Sequence, residues 1–327
     1  MKIKCIFTNK YTVSVFILLA LFGVDIILHK GMSRVMLPES FVGKRNSITF
    51  SKCEQSLLVK NKKWKKGINS MEKIRQLEEA VTGFEIDVYF DTTKNCLFVY
   101  HDTSVFSALR IESVLDVYES RNLSSFLWLD FKNLSSLNEK QSLKYISALR
   151  NQYKLAGKMI IESSLPQYLQ SFCDSNFYTS FYVPFFNPYI ISKKELAIQL
   201  DRIENTLKKY NVSALSGYYF QYPVLKNYFP RYPILTWTDN DRLSLVTNSF
   251  NRRLLNDPNI KVVLYPWYTN LIMIDLSSLV KGLQTGKRTN SLLYEKTYLL
   301  SHNPAMLCFP VLLSTNRFVP CTIQAGW

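Results

Sequence analysis

Short apolar segments alternate with helical patterns along most of this chain, and this alternation constrains its fold more than any other feature. Eight of the segments are strand-like, which is typical of consecutive β–α units. Such units form either a closed barrel or an open doubly wound sheet. The open sheet should carry a glycine-rich phosphate loop after an early strand, and the sequence has none. We therefore predict an α/β fold, a (β/α)8 TIM barrel, with strands at 64–69, 84–90 continued by 97–101, 126–132, 158–163, 177–184, 214–220, 232–238 and 261–266.

Helices are predicted between these strands, at 70–80, 137–153, 166–173, 193–210 and 240–255. Ser192 and Glu195 form a capping-box pattern, which marks the start of one of them. The sequence after residue 270 does not follow the repeat, and we expect a final helix and an extension that covers the barrel.

The N-terminal part of the chain is apolar between residues 11 and 28, a run barely long enough to cross a bilayer as a helix. Lysines before the run favour a cytoplasmic N-terminus. Because no clear cleavage site follows, an uncleaved signal-anchor is favoured over a cleaved signal peptide. The predicted organisation is a membrane anchor at 1–30, a connector at 31–60, and the TIM barrel with a C-terminal extension at 61–327.

A signal-anchor in this orientation places the barrel outside the cytoplasm, in a periplasmic or lumenal space, on a single-pass membrane protein. The cysteines show no C-x-x-C pair and no zinc spacing. The one disulfide that we would expect joins Cys308 to Cys321.

The net charge of +15 is uneven along the chain. Most of the excess lies in residues 1–66, around the apolar run, and includes the basic stretch at 60–66. This distribution argues against a nucleic-acid partner, since the rest of the chain is only weakly basic. The stretch could attract anionic lipid head groups, or it could be a solvated linker.

Acidic side chains occur inside two of the predicted strands. Glu85 and Asp87 point to one face of the strand at 84–90, because strand side chains alternate. Two carboxylates on an enclosed face are costly unless a cation or hydrogen bonds compensate them. Asp130 and Lys132 share a face of the strand at 126–132 in the same way. Since the catalytic groups of a barrel come from the C-terminal ends of its strands, we expect these side chains to meet at one mouth.

Three further residues are predicted to face that mouth: His101, Glu162 and Trp237. Carboxylates from adjacent strands can hold Mg²⁺ or Ca²⁺, and such an ion neutralises a phosphate. His101 suits general acid–base catalysis, Lys132 stabilises developing negative charge, and Trp237 forms an apolar wall for an alcohol or lipid portion.

Each of these residues also has an ordinary structural explanation. The acidic pair and the pair Asp130/Lys132 could be structural ion pairs, His101 could be structural or exposed, and Trp237 could be a core residue. Their order and spacing taken together favour a site for a metal and a phosphate.

Three separated segments resemble motifs of the glycerophosphodiester phosphodiesterases. The block at 84–88 with 99–102 is similar to their E-x-D … H-D signature. The segment at 128–133 looks like a motif of the menorin-like branch and the D-x-K of spider-venom phospholipase D toxins, and 235–240 is similar to a W-T-x-N segment. The resemblance spans residues 64–267. It implies a divalent metal held by Glu85, Asp87 and Asp130, with Lys132 near the phosphate, and attack on phosphorus by a hydroxyl of the substrate itself, which gives a cyclic phosphate.

The chain departs from this family where the first strand ends, because Lys66 stands where a histidine is expected. A lysine at position 66 has two interpretations. It could act as a base, or it could mark the loss of catalytic activity. Asn69 keeps the family's residue and is expected to contact the metal or the phosphate. His302 could substitute for the histidine but lies outside the strand repeat, and the eighth strand lacks the family's T-D-x-P ending.

The sequence therefore predicts a metal-dependent phosphodiesterase at the membrane surface, acting on a glycerophosphodiester or a phospholipid head group. Its predicted catalytic residues are Lys66, His101 and Lys132, and its predicted substrate-binding residues are Asn69, Glu162 and Trp237. Two alternatives remain open. A non-catalytic relative would bind a ligand or partner outside the cytoplasm, and a glycoside hydrolase would use Glu85 or Glu162 in a carboxylate pair without a metal.

Overall fold

The computed structural model describes residues 10–28, 57, 59, 61–101, 107–188, 191–238 and 245–267. The chain divides into two units, Met1–Trp267 and Tyr268–Trp327, and all the described residues belong to the first. Their strands form one sheet, whose members in chain order are β1 (Lys63–Lys66), β2 (Gly83–Asp91), β3 (Cys96–Val99), β4 (Phe126–Phe131), β5 (Met159–Ser163), β6 (Tyr178–Tyr182), β7 (Ala214–Tyr218), β8 (Ile234–Trp237) and β9 (Ile260–Pro266).

Eight of these strands run parallel and close into a barrel. The ring closes at β1, which pairs with β9 along its whole length and with β2 where Lys65 lies opposite Phe84. β3 lies outside the ring as the antiparallel partner of β2. The predicted TIM barrel is therefore confirmed, and each of the eight predicted strands corresponds to one barrel strand.

Helices connect most of the strands on the outside of the barrel. In chain order the described helices are α1 (Lys10–Leu28), α2 (Met71–Arg75), α3 (Ile111–Ser120), α4 (Glu139–Gln152), α5 (Gln170–Asp174), α6 (Lys193–Leu207), α7 (Tyr222–Tyr228) and α8 (Leu245–Asn256). The capping box of α6 is present as predicted. Two helices, α3 and α7, were not predicted, although α3 buries Ile111, Val114, Leu115 and Tyr118 at helical spacing.

Several predicted boundaries are wrong. β1 ends at Lys66 rather than at residue 69, because Gly67 takes φ 69°, outside the strand region. The predicted helix at 70–80 ends at Arg75, since the chain then turns to bury Leu77. The predicted helix at 166–173 is a 3₁₀ turn, Pro166–Tyr168, followed by α5.

The barrel interior is apolar at the end where the strands begin. Trp64, Trp128, Ile160, Tyr178, Ala214, Leu235, Val262 and Leu264 form one buried cluster there. A larger cluster fills the space between the sheet and the helices. Gly83 makes room for Trp64, because a Cβ atom at Gly83 would lie 2.3 Å from an atom of the indole ring.

The N-terminal prediction is not confirmed. No helix in the described part of the chain is both long enough and apolar enough to span a membrane. The predicted connector, disulfide Cys308–Cys321 and C-terminal extension lie almost wholly or entirely outside the described residues. Of the two described cysteines, Cys173 is disulfide-bonded and Cys96 is a buried free thiol.

We expect Gly83→Ala to lower the free energy of unfolding by about 1–3 kcal/mol, because the added methyl group overlaps the Trp64 ring. Urea denaturation of the purified chain measures this loss. Combining it with Trp64→Leu should cost less than the sum of the two single changes, since the smaller side chain removes the overlap. A Gly83→Ala protein as stable as the parent would show that the barrel does not need this close approach.

Candidate active site

Three carboxylates from two neighbouring strands share one part of the barrel mouth. β2 carries Glu85 and Asp87, and β4 carries Asp130, the register partner of Asp87. One oxygen atom from each residue lies within 4.8 Å of the other two. Glu85 and Asp87 are only 2% and 1% exposed, so bulk water does not screen their repulsion. The structure thus brings together the three residues predicted as metal ligands, and their role as ligands remains a prediction.

The loop after β1 holds two of these carboxylates in place. The backbone N–H of Gly67 donates to Oε2 of Glu85 at 2.5 Å. The Asn69 side chain makes a two-way contact with Asp87: its amide donates to Oδ2, and its oxygen accepts the Asp87 backbone N–H at 3.0 Å. Asn69, predicted to bind metal or phosphate, therefore acts on Asp87, and it fixes which oxygen of that carboxylate faces the mouth.

Lys132 is the cation closest to the cluster. Its ammonium group lies 2.6 Å from Oδ1 of Asp87 and also contacts Oδ2 of Asp130. Burial lowers the pKa of Lys132, but the attraction of Asp130 and Asp87 outweighs burial and raises it above the usual value. Lys132 is therefore a fixed positive charge beside the carboxylates, and it leaves part of their negative charge uncompensated.

The electrostatics of the cluster fit a divalent cation. Burial raises the pKa of Glu85 to about 8, with repulsion from Asp87 and Asp130 adding to the effect. Burial also raises the pKa of Asp130, although Lys132 opposes the shift. A hard cation with oxygen ligands would favour the ionised forms of all three groups. Glu85, Asp87 and Asp130 thus have the oxygen donors, the spacing and the excess negative charge that Mg²⁺ or Ca²⁺ requires.

Glu162 extends the acidic edge to a third strand. It is the register partner of Asp130 on β5 and is 2% exposed. Burial, followed by repulsion from Asp130, raises its pKa well above the usual value. Its Oε2 atom has no hydrogen-bond partner among the described residues. Glu162 therefore lines the cavity with a free carboxyl oxygen, in the position predicted for a substrate-binding residue.

Aromatic rings form the opposite side of the mouth. Trp237, at the end of β8, packs edge-on against Tyr182 and Tyr218, with ring centroids 5.3 Å and 4.9 Å away. The ammonium group of Lys66 lies 5.3 Å from the centre of the Trp237 ring. Lys66 also attracts the Glu85 and Asp130 carboxylates. It thus stands between the acidic edge and the aromatic wall.

His101 lies at the rim, just after β3. Its side chain is exposed, its backbone oxygen accepts a hydrogen bond of 3.4 Å from the Tyr89 hydroxyl, and it lines the same cavity. The neighbouring Asp102 and the alternative histidine, His302, lie outside the described residues. A solvent-facing imidazole at the rim is well placed to exchange protons with water and with a ligand in the cavity.

These side chains line one cavity of about 100 Å³, which is open to solvent. All the predicted site residues line it except Asn69, which lies behind Asp87. The sequence prediction missed four lining residues, Trp128, Tyr182, Tyr218 and Leu264. Strand alternation could have found them, because each lies two or four positions from another inward-facing residue.

The chain is similar to several solved structures, all at low sequence identity. Similar solved structures include a glycerophosphodiester phosphodiesterase from Parabacteroides distasonis (15% identity, 63% of this chain and 93% of that one, TM-score 0.42). They also include proteins assigned to that activity from Silicibacter pomeroyi (14%, 70% and 99%, 0.47) and Galdieria sulphuraria (11%, 64% and 95%, 0.44). No protein-family model and no curated protein matches the chain.

We expect Mg²⁺ or Ca²⁺ to raise the thermal midpoint of the protein, because an ion bound only by the folded state stabilises it, by about 2.7 kcal/mol at a hundredfold excess over Kd. Glu85→Gln should remove this effect while making the metal-free protein more stable, since it removes a buried, repelled carboxylate. The matched control is Glu79→Gln, which changes an exposed glutamate. A metal-induced shift in Glu85→Gln as large as in the parent would contradict the assignment.

Proposed function

We propose that this protein is a metal-dependent phosphodiesterase that cleaves a glycerophosphodiester or a phospholipid head group. One observation carries the proposal: three carboxylates, of which Glu85 and Asp87 are buried, have oxygens within 4.8 Å of one another beside Lys132, at the edge of an open cavity. This combination of a cation site and a fixed ammonium suits a substrate whose reacting group is a phosphate.

The proposed division of roles follows from position. Glu85, Asp87 and Asp130 hold the ion, which would neutralise the phosphate and polarise its oxygens. Lys132 fixes the orientation of Asp87 and Asp130, and it adds positive charge where negative charge develops on the phosphate. Asn69 keeps Asp87 in the geometry that the ion needs.

Proton transfer is proposed to involve His101 at the rim. The attacking hydroxyl must lose a proton and the leaving oxygen must gain one. The exposed imidazole of His101 can take part in either transfer, because a neutral imidazole ring has one N–H donor and one nitrogen acceptor. Attack by a hydroxyl of the substrate would give a cyclic phosphate, whereas attack by water would give a monoester.

Lys66 also supports a second candidate, a non-catalytic binding protein. It occupies the mouth where the resembling family has a histidine, and its ammonium lies 5.3 Å from the centre of the Trp237 ring. A protonated lysine donates hydrogen bonds but accepts none. Such a site could bind a phosphate ester outside the cytoplasm without cleaving it.

The glycoside hydrolase alternative finds less support. Its two carboxylates should face each other about 5 to 9.5 Å apart across a sugar. In this structure Glu85 instead belongs to a cluster of three carboxylates. Two of them, Asp87 and Asp130, form ion pairs with Lys132.

We also propose that α1 attaches the protein to a membrane, with the barrel on the extracytoplasmic side. Ten large apolar side chains of α1, between Val13 and Ile27, are 37–77% exposed, an apolar surface that water does not favour. The basic residues Lys62, Lys63 and Lys65 follow it in the chain and suit anionic head groups. The disulfide at Cys173 favours an oxidising compartment.

Cleavage of phosphodiesters should fall by about 10²–10³ in Glu85→Gln and in Asp130→Asn, because each change removes a proposed ligand of the ion. A panel of glycerophosphodiesters and phospholipids, followed by ³¹P NMR with and without chelator, also distinguishes cyclic from open products. Glu79→Gln is the control. Undiminished turnover in both variants would refute the metal-dependent mechanism.

Turnover by the parent protein separates the two candidates directly. If the parent binds phosphate esters but cleaves none, and Lys66→His gains activity, the non-catalytic candidate is correct. If the parent cleaves substrate and Lys66→His does not increase the rate, a lysine at position 66 is compatible with catalysis.

The membrane proposal predicts that the full chain sediments with membranes and resists extraction by carbonate. Replacing Leu18 and Leu19 by lysine should release it, since charged residues are costly in a bilayer, while Leu137→Lys, which changes an exposed leucine of the barrel unit, should not. Extraction of the parent by carbonate would contradict attachment through α1.

A further inference from the structure

The floor of the cavity is polar and incompletely hydrogen-bonded. Trp128 Nε1 and Glu162 Oε2 belong to residues that line the cavity, and neither atom has a partner within the described part of the chain. Ser180, the register partner of Glu162 on β6, is also buried, and its hydroxyl lacks a partner among those residues. Unpaired buried polar atoms cost about 1–3 kcal/mol each. A ligand that both donates and accepts hydrogen bonds would remove this cost.

The groups on this floor match hydroxyls better than other ligand groups. The Trp128 indole can only donate, and Glu162 offers a free carboxyl oxygen that can accept. A polyol carries several hydroxyls in fixed positions, each of which can donate and accept. The edge-on rings of Tyr182 and Tyr218 beside Trp237 add apolar surface for its carbon skeleton.

The mouth disfavours a positively charged head group. Such groups are usually recognised by the faces of aromatic rings, and Trp237 is the obvious ring for that purpose. Its ring already has the Lys66 ammonium at 5.3 Å. A quaternary ammonium on the same wall would be repelled by this neighbouring charge, which water screens poorly in a partly enclosed cavity.

We propose that the cavity selects phosphate esters whose head group is an uncharged polyol and discriminates against quaternary ammonium head groups. Glu162 supplies the selection at the floor, and Lys66 supplies the discrimination at the mouth. This inference rests on the proposed function, because it places the phosphate at the carboxylate cluster and the head group against Glu162 and Trp237. It applies equally to a protein that cleaves the ester and to one that only binds it.

Calorimetric titration of the full chain with three ligands in the presence of Ca²⁺ tests the selection. Inositol 1-phosphate and phosphocholine share the phosphate and differ in the head group, and inorganic phosphate reports on the phosphate site alone. We expect inositol 1-phosphate to bind at least about tenfold more tightly than phosphocholine. Equal or tighter binding of phosphocholine would overturn the inference and leave the proposed function intact. No binding of any of the three would overturn both.

Two variants assign the selection to residues. Glu162→Gln keeps the shape of the side chain and should weaken inositol 1-phosphate by about tenfold, while the affinity for inorganic phosphate stays unchanged. Lys66→Met should raise the affinity for phosphocholine relative to inorganic phosphate by about tenfold, because it removes the competing charge. Glu79→Gln should change neither ratio. If Glu162→Gln weakens all three ligands equally, Glu162 acts on the phosphate site and the assignment is wrong.

Discussion

Repulsion among buried carboxylates at the barrel mouth is the interaction on which the organisation of this site depends. Oxygen atoms of Glu85, Asp87 and Asp130 lie within 4.8 Å of one another, and Glu85 and Asp87 are almost fully buried. One ammonium, that of Lys132, offsets part of this repulsion, and the backbone N–H of Gly67 offsets another part at Glu85. The arrangement is costly for the protein alone and becomes favourable when a doubly charged ion enters. A cost of this kind is expected at a functional site rather than at a structural one.

Apolar burial in the rest of the barrel offsets the free-energy cost of the clustered carboxylates. The strands begin around a dense apolar cluster, in which Trp64 fits against Gly83 without a gap. Asp87, Asp130 and Glu162 lie further along their strands, where the cavity opens to solvent. This separation lets the apolar end hold eight strands in register, and the register in turn places Asp87, Asp130 and Glu162 side by side on three strands.

Most of the fold and part of the site follow from the sequence, because both depend on the two-residue period of strands. That period places Glu85 with Asp87 and Asp130 with Lys132, and the repeat of strands and helices predicts a closed barrel. The two-residue period does not predict which segments contact each other. The two-way bond of Asn69 to Asp87 requires the loop after β1 to reach β2. Tyr182 and Tyr218 meet Trp237 only because of the register between β6, β7 and β8, which sequence alone does not fix.

The residue at position 66 bears on whether these carboxylates and ammonium groups serve to cleave a phosphate ester or only to bind it. A histidine at this position could accept a proton from an attacking hydroxyl and return it later, whereas a protonated lysine can only donate. With Lys66 in place, proton transfer would depend on His101 at the exposed rim, and the lysine would contribute charge and selectivity instead. Binding of an ion and a phosphate therefore does not distinguish an enzyme from a receptor here, because both need the same carboxylates and ammonium groups. The difference lies in whether a proton acceptor reaches the attacking hydroxyl, and among the described residues that line the cavity the imidazole of His101 is the group best suited to that role.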